Sequence, residues 1–214
     1  VDLITLPLFP LGLIAFPGEQ VNLHIFEPRY KQLVQDCRDH KLSFGIPPYK
    51  EGHPMVIGTE MKLLEISQVY DDGKMDVKTQ AMGIIRIHEF YSKLSGKLYP
   101  GAEVERVQRL PSTGDPNLAK AVLLLVKELY ESSTVSTEVS EWHEDFTIYE
   151  LAHKIGLSFE QELQLLHMED EDERLHMVER HLKAFIPQVK KMQEMKAKIQ
   201  MNGHFKNVQP PELG

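Results

Sequence analysis

Residues 20–37, QVNLHIFEPRYKQLVQDC, change their hydrophobic period partway along, and that change decides the fold class. Val21, Leu23 and Ile25 alternate with Gln20, Asn22 and His24, the period of two expected of a half-buried strand. From Pro28 onward the period lengthens. Tyr30, Leu33, Val34 and Cys37 fall at i, i+3, i+4 and i+7, which is one face of a helix. Pro28 occupies the first helical turn, where its missing N–H costs nothing. A strand that runs directly into a helix predicts a mixed α and β chain.

On the N-terminal side, Leu6-Pro7-Leu8-Phe9-Pro10 reads as an edge strand or an extended lead-in, because proline cannot donate to a sheet ladder. Phe16-Pro17-Gly18 reads as a turn. On the C-terminal side, Leu42 to Ile46 is a short strand stopped by Pro47-Pro48, and residues 47–54 read as a surface loop. Met55 to Val69 predicts one or two strands, with Gly58 at a bulge or bend. Asp71-Asp72-Gly73 is a hairpin turn. Met75, Val77, Thr79 and Ala81 alternate after it, and Gly83 precedes Ile85 and Ile87. Tyr99 to Leu110 is the last strand candidate. Short strands at this spacing predict a compact β-barrel or paired sheets with one early helix.

The pattern turns helical after Pro111-Ser112-Thr113-Gly114, which reads as a linker. Asp115-Pro116 caps a helix with a stripe of Leu118, Val122, Leu125 and Leu129, widened by Ala121 and Leu124. Residues 131–145 are polar and acidic and read as a loop. Thr147 with Glu150, and Ser158 with Gln161, have capping-box spacing. Gly156 fits a helix C-cap. A long helix carries Leu175, Val178, Leu182, Phe185, Ile186 and Val189, and Pro187 is expected to kink or end it. The organisation expected is a β-rich domain at 1–112, a helical bundle at 113–202 and a flexible tail at 203–214.

The 214 residues include 42% hydrophobic side chains and a single cysteine, Cys37. That balance suits a soluble globular chain and excludes an intrachain disulfide and a cysteine-built zinc site. It also suits a reducing cytoplasm. Cys37, on the apolar helix face, is expected to be a core residue. The apolar stretch Leu3 to Phe16 contains two prolines and lacks a basic lead-in, so it reads as neither signal peptide nor membrane span. Net charge is −8, divided unevenly: residues 1–112 hold 13 basic and 14 acidic side chains, the remainder 11 and 18. This argues against a broad nucleic-acid footprint, which needs clustered Lys and Arg.

No catalytic signature is present. The chain lacks G-x-x-x-x-G-K-[ST], G-x-G-x-x-G after a strand, G-x-S-x-G and H-E-x-x-H. His176 and His181 stand five apart, roughly 140° around a helix, and so not on one face. Glu169 to Glu173 forms an acidic run without the spacing of a calcium loop, and reads as a helix N-terminus. The expectation is no catalytic residue, no bound cofactor and no metal.

The N-terminal motifs support a comparison with a known family. Pro7-Leu8-Phe9-Pro10-Leu11, Phe16-Pro17-Gly18 and Leu23-His24-Ile25-Phe26-Glu27-Pro28-Arg29-Tyr30 together resemble the opening of the Lon protease N-terminal domain. Ile57-Gly58-Thr59, Asp72-Gly73, Gly83 with Arg86, and Tyr99, Ala102 and Val104 follow in the family's order. Leu157-Ser158, Gln161 to Leu166 and Arg174-Leu175 resemble its helical extension. The likeness runs from about residue 3 to 190. It implies an α+β fold, a PUA-like β pseudo-barrel with one inserted helix followed by a helical bundle.

It also implies substrate recognition without the ATPase and Ser–Lys peptidase modules, neither of which has matching residues here, and so either a stand-alone member of the family, which the short polar tail after Ile199 favours, or an excised fragment. The function expected is non-enzymatic binding of unfolded or client proteins and peptides in the cytoplasm, with a protease or chaperone as associate. RNA binding by the PUA-like part is the alternative. Pro17, Gly18, Phe26, Glu27, Arg29, Tyr30, Gly83 and Arg86 are expected to be structural. Phe26 and Tyr30 are expected to bury their rings, and Glu27 and Arg29 to hold backbone or remote partners. The loop 47–54 and a groove between barrel and bundle are candidate binding places. Val189, Met192, Met195 and Ile199 recur at helical spacing beyond Pro187. They are expected either to contact a partner or a second copy, or to dock back on residues 118–129.

Overall fold

The computed structural model describes residues 2–107, 114–133 and 146–204, with side chains through Ile199. Most of the 111–114 linker, most of the 131–145 loop and the tail from residue 205 lie outside the described residues. Two compact units divide the chain. The first combines Val1–Ser112 with Tyr149–Glu169, and the second combines Thr113–Ile148 with Asp170–Gly214. By this division residues 149–169 group with the β-rich residues, whereas the sequence reading places them with the helical bundle at 113–202. The fold class is α+β.

The first unit has one main antiparallel sheet. Its strands are β1 (Leu3–Pro7), β2 (Gln20–Ile25), β3 (Ser43–Ile46), β6 (Ile57–Val69), β7 (Met75–Tyr91) and β8 (Gly101–Val107). They are ordered β1-β8-β7-β6-β3, with β2 on β7. β7 is long enough to hold β2 at Met75–Gln80 and β8 at Ile84–Tyr91 along the same edge. Leu8 makes a parallel bridge to Gly45, which joins the two ends of the strand order. β1 stands at the end of the strand order, where Pro7 is tolerated. The segment 47–54, expected as a loop, contains a small hairpin of β4 (Tyr49–Lys50) and β5 (His53–Pro54). Its turn places Glu51 at φ 53° and Gly52 at φ 87°, the positive pair of a type I′ connection.

Helix α1 (Pro28–His40) buries Tyr30, Leu33, Val34 and Cys37, the four residues of the sequence stripe. They join Phe9, Leu23, Ile25, Phe44, Met61, Met75 and Val77 in the main core. Asp36, also on α1, accepts hydrogen bonds from Tyr99 Oη at 2.7 Å and Lys97 Nζ at 2.8 Å. The Lys97 contact, then that of Tyr99, outweighs burial and holds the Asp36 carboxyl below its usual range. A smaller apolar cluster of Leu6, Leu8, Ile85, Ala102 and Val104 lies under β1 and β8.

Of the bulge or bend expected at Gly58, the bulge does not fall there; the register shifts lie at Glu60/Met61, Leu63/Glu65 and Ile66/Gln68. Gly58 is instead a close-approach position. A Cβ there would lie 2.8 Å from the Ile46 carbonyl oxygen and from Pro47 Cα. Helix α3 (Ile148–Leu151) is a single short turn, and α4 (Phe159–His167) carries the expected Ser158–Gln161 capping box.

In the second unit, α2 (Pro116–Ser132) packs against α5 (Glu171–His204). Asp115 caps α2 by accepting from the Asn117 N–H. The buried face of α2 is Ala119, Val122, Val126 and Leu129; Leu124, expected in the stripe, is 61% exposed. Helix α5 continues through Pro187 and past the expected end at 202. The carbonyl deprived of its donor belongs to Lys183, which is exposed like Pro187, so water can satisfy it. Asp170 Oδ1 accepts from the N–H groups of Asp172 and Glu173, confirming the acidic run as a helix start. Glu171 is buried, accepting from the Ile148 N–H at 2.7 Å and from Arg174 Nε at 2.6 Å.

Candidate functional site

Helix α1 ends at Lys41, whose φ of 54° turns the chain sharply; the Leu42 N–H closes on the Cys37 carbonyl at 3.2 Å. That turn sends β3 back alongside β6. β3 is only four residues long and pairs with Thr59 to Lys62. β6 continues for seven more residues, to Val69. Over Leu63 to Val69 no described strand pairs with the edge of β6 that faces away from β7. A groove of about 500 Å³ lies there, between the end of α1 and the distal half of β6.

The groove is lined by Cys37, Arg38, Lys41 and Leu42 on one side and by Lys62 to Ile66 with Val69 on the other. Leu63 and Ile66 are partly buried and pack on the main core. Burial, with the neighbouring Asp36 carboxylate, pushes the Cys37 thiol up to about 12, so it stays protonated and contributes an apolar wall. Leu42, Leu64 and Val69 are exposed at 40%, 46% and 65%. The two bulges in this half break strict alternation, so consecutive leucines, one half-buried and one exposed, can both line the groove.

The charges divide sharply. Glu65 is paired with Lys78 at 2.6 Å. Arg38 is held by Asp39 at 2.8 Å and Gln35 at 2.6 Å. The Lys41 and Lys62 ammonium groups have no ion-pair partner among the described residues.

Past Val69, Tyr70 leads to a second exposed group. Asp76 accepts from Tyr70 Oη at 2.6 Å and lies 2.6 Å from His24 Nδ1. His24 stacks with Phe26 at 6.3 Å and meets Tyr70 edge-on at 5.9 Å. Phe26 is 58% exposed, which corrects the expectation of a buried ring. Its neighbour in the motif, Tyr30, is buried against Phe9 with ring centroids 3.9 Å apart. Glu27 and Arg29 pair with each other at 2.8 Å, not with remote groups.

The remaining motif residues have local structural settings. Pro17 and Gly18 form the centre of a turn closed by Glu19 N–H to Phe16 C=O at 3.0 Å, with Gly18 at φ 88° as a type II turn requires. Phe16 stacks on Tyr149 at 5.1 Å and meets His153 at 5.0 Å. His153 lies 2.8 Å from Glu162 and 3.2 Å from Glu19. Glu162, then Glu19, pushes its pKa up to about 10. Burial works to raise the Glu19 pKa, but the contacts from His153 and the Phe16 N–H win and hold it low.

Gly83 lies in β7 opposite Glu60, beside a register shift. Arg86 is exposed and borders a polar cavity with Glu105 and Arg106. Val189 is half-buried, while Met192, Met195 and Ile199 are exposed on α5 at 51%, 55% and 68%. Among the described residues no group of three His, Cys, Asp or Glu side chains could hold a metal, and no helix is long and apolar enough to cross a membrane.

Sequence reasoning did not find the groove. The departure of Leu63-Leu64 from alternation was the available signal.

The sequence profile of the ATP-dependent protease La (LON) substrate-binding domain matches residues 5–184. Among solved structures, the chain is similar to the Lon N-terminal domain protein from Xanthomonas campestris, at 24% identity and TM-score 0.64, over 82% of this chain and 96% of that one. It is also similar to the N-terminal domain of Mycobacterium avium complex Lon protease, at 16% identity and TM-score 0.63, over 84% and 98%. These likenesses show the fold. No curated protein matches the sequence.

Proposed function

Because the chain belongs to the LON substrate-binding domain family, we propose that it is a non-enzymatic module that binds unfolded or client protein segments. The observation that carries this reading is the open apolar groove beside the distal half of β6, with Leu42, Leu64 and Val69 exposed at its rim. Exposed apolar side chains around a concavity mark a surface that gains by covering. The strand edge, which no described strand pairs, adds backbone donors and acceptors, which recognise a polypeptide of any sequence.

The first unit is read as a PUA-like pseudo-barrel, supported by the Leu8–Gly45 bridge between the ends of the strand order. A cytoplasmic setting fits the single, buried, unpaired cysteine. The RNA alternative has no observation in its favour.

The test is fluorescence anisotropy with one labelled protein in two states: native α-lactalbumin and its reduced, carboxymethylated, permanently unfolded form. Binding of the unfolded form alone, independent of ATP, is the expected result. Equal binding of both forms, or of neither, contradicts the reading.

A further inference from the structure

We propose that the groove selects extended client segments in which a large apolar side chain is flanked by carboxylates. This inference rests on the protein-binding reading and specifies its client.

Three observations meet in one place. The first is shape. A concavity of about 500 Å³ floored by Leu63, Ile66 and Cys37 is large enough for an aromatic or leucine side chain with adjoining main chain.

The second is the strand edge. Leu63 to Val69 have no described strand on their outer side, but bulges at Leu63/Glu65 and Ile66/Gln68 interrupt the edge. Bulged edges resist long ladders, so pairing is confined to a few residues of an extended segment. This favours a short client motif over a full added strand.

The third is charge. Of the four charged side chains near the rim, Glu65 and Arg38 are already satisfied within the chain. Lys41 and Lys62 have no ion-pair partner among the described residues. Lys41 has a structural use, since a cation complements the C-terminal end of α1. Lys62 stands on a strand, where no helix dipole explains it. These two ammonium groups come from the two elements that line the groove, one from the C-cap of α1 and one from β6. A carboxylate on each side of the apolar anchor complements them, and a basic flank meets repulsion.

The experiment uses the whole chain and three labelled hexapeptides: Glu-Asp-Leu-Phe-Glu-Asp, Lys-Arg-Leu-Phe-Lys-Arg and Glu-Asp-Ser-Ser-Glu-Asp. Anisotropy is measured at low and at physiological salt. The proposal expects the first to bind at least about tenfold tighter than either other, with the margin shrinking as salt rises. The double variant Lys41→Glu/Lys62→Glu should reverse the preference towards the basic peptide. Both lysines are exposed, so the variant should fold, which its denaturation midpoint checks.

The unfolded α-lactalbumin assay separates the two claims. If the double variant and the parent bind it equally and neither discriminates among the peptides, the charge selection is wrong and the protein-binding reading survives. If the parent does not bind it at all, the underlying reading falls. If a single-stranded oligonucleotide displaces the acidic peptide at equal concentration, the lysines serve phosphate and the proposal is overturned.

Discussion

Thr59 to Met61 and Leu63 to Val69 belong to one strand, β6, and lie in different worlds. The first group sits between β3 and β7 and is buried. Among the described strands the second has β7 alone, and Leu64 and Val69 face solvent. The difference arises from lengths. β3 ends after four residues, while β6 runs for thirteen. Beyond the span of the neighbouring strand, apolar side chains and backbone groups remain that no described strand covers. Stability is concentrated in the proximal part, and the proposed binding surface lies in the distal part.

The sharpest way to break this division uses two aromatic rings from one motif. Tyr30→Ala removes a buried ring and should cost about 3–5 kcal/mol, whereas Phe26→Ala, at an exposed ring, should stay within about 0.5 kcal/mol. Urea midpoints for both variants check this. Equal losses would erase the distinction between core and surface in that segment.

The same contrast applies within β6. Met61→Ala, at a fully buried position, should cost about 2–5 kcal/mol, and Leu64→Ala about 0.5 kcal/mol or less. Denaturant unfolding at fixed pH measures both. A large loss at Leu64 would make the distal half part of the core.

Two glycines sharpen the backbone side. Gly58→Ala pushes a methyl into the Ile46 and Pro47 backbone and should cost roughly 1–3 kcal/mol. Gly83→Ala meets no atom within 4 Å and should be near neutral. Thermal midpoints distinguish them.

A smaller, pH-dependent effect belongs to the turn at Phe16–Glu19. The folded pKa of His153 is raised to about 10 from an ordinary value of 6.5. Its contribution is therefore full below pH 6.5 and is lost as pH rises through about 10. Glu19, held low, contributes above its ordinary value near 4.5 and loses that contribution as pH falls. Amide exchange at residues 152–155, normalised for intrinsic rate, should accelerate from pH 6.5 to 10. His153→Gln should abolish the pH dependence. A pH-independent protection in the parent would contradict the ion-pair account.

The α1 face was legible because Pro28 fixes the helix start and four apolar residues then repeat at one period. The β6–β7 hairpin was legible because Asp72-Gly73 marks its turn. Phe26 was not, since a ring between a strand and a helix can face either way until the strand's register is known. Glu27 and Arg29 were misread because Pro28 holds them at a helix start, not on a regular helical face, and their side chains meet there. The α2 stripe was displaced to Ala119, Val122, Val126 and Leu129 because a leucine-rich helix offers several apolar faces and its neighbour chooses one. The helix through Pro187 depended on which carbonyl loses its donor, and that one faces solvent. The groove was invisible because it exists through a mismatch between two strand lengths, and neither strand announces its partner's end.

The most direct test of the division in β6 is hydrogen exchange of the whole chain with and without saturating unfolded α-lactalbumin. Client binding should add protection at Leu63 to Val69 and leave Thr59 to Met61, already paired on both sides, unchanged. Binding that protects other segments while Leu63 to Val69 exchange as before would contradict the account.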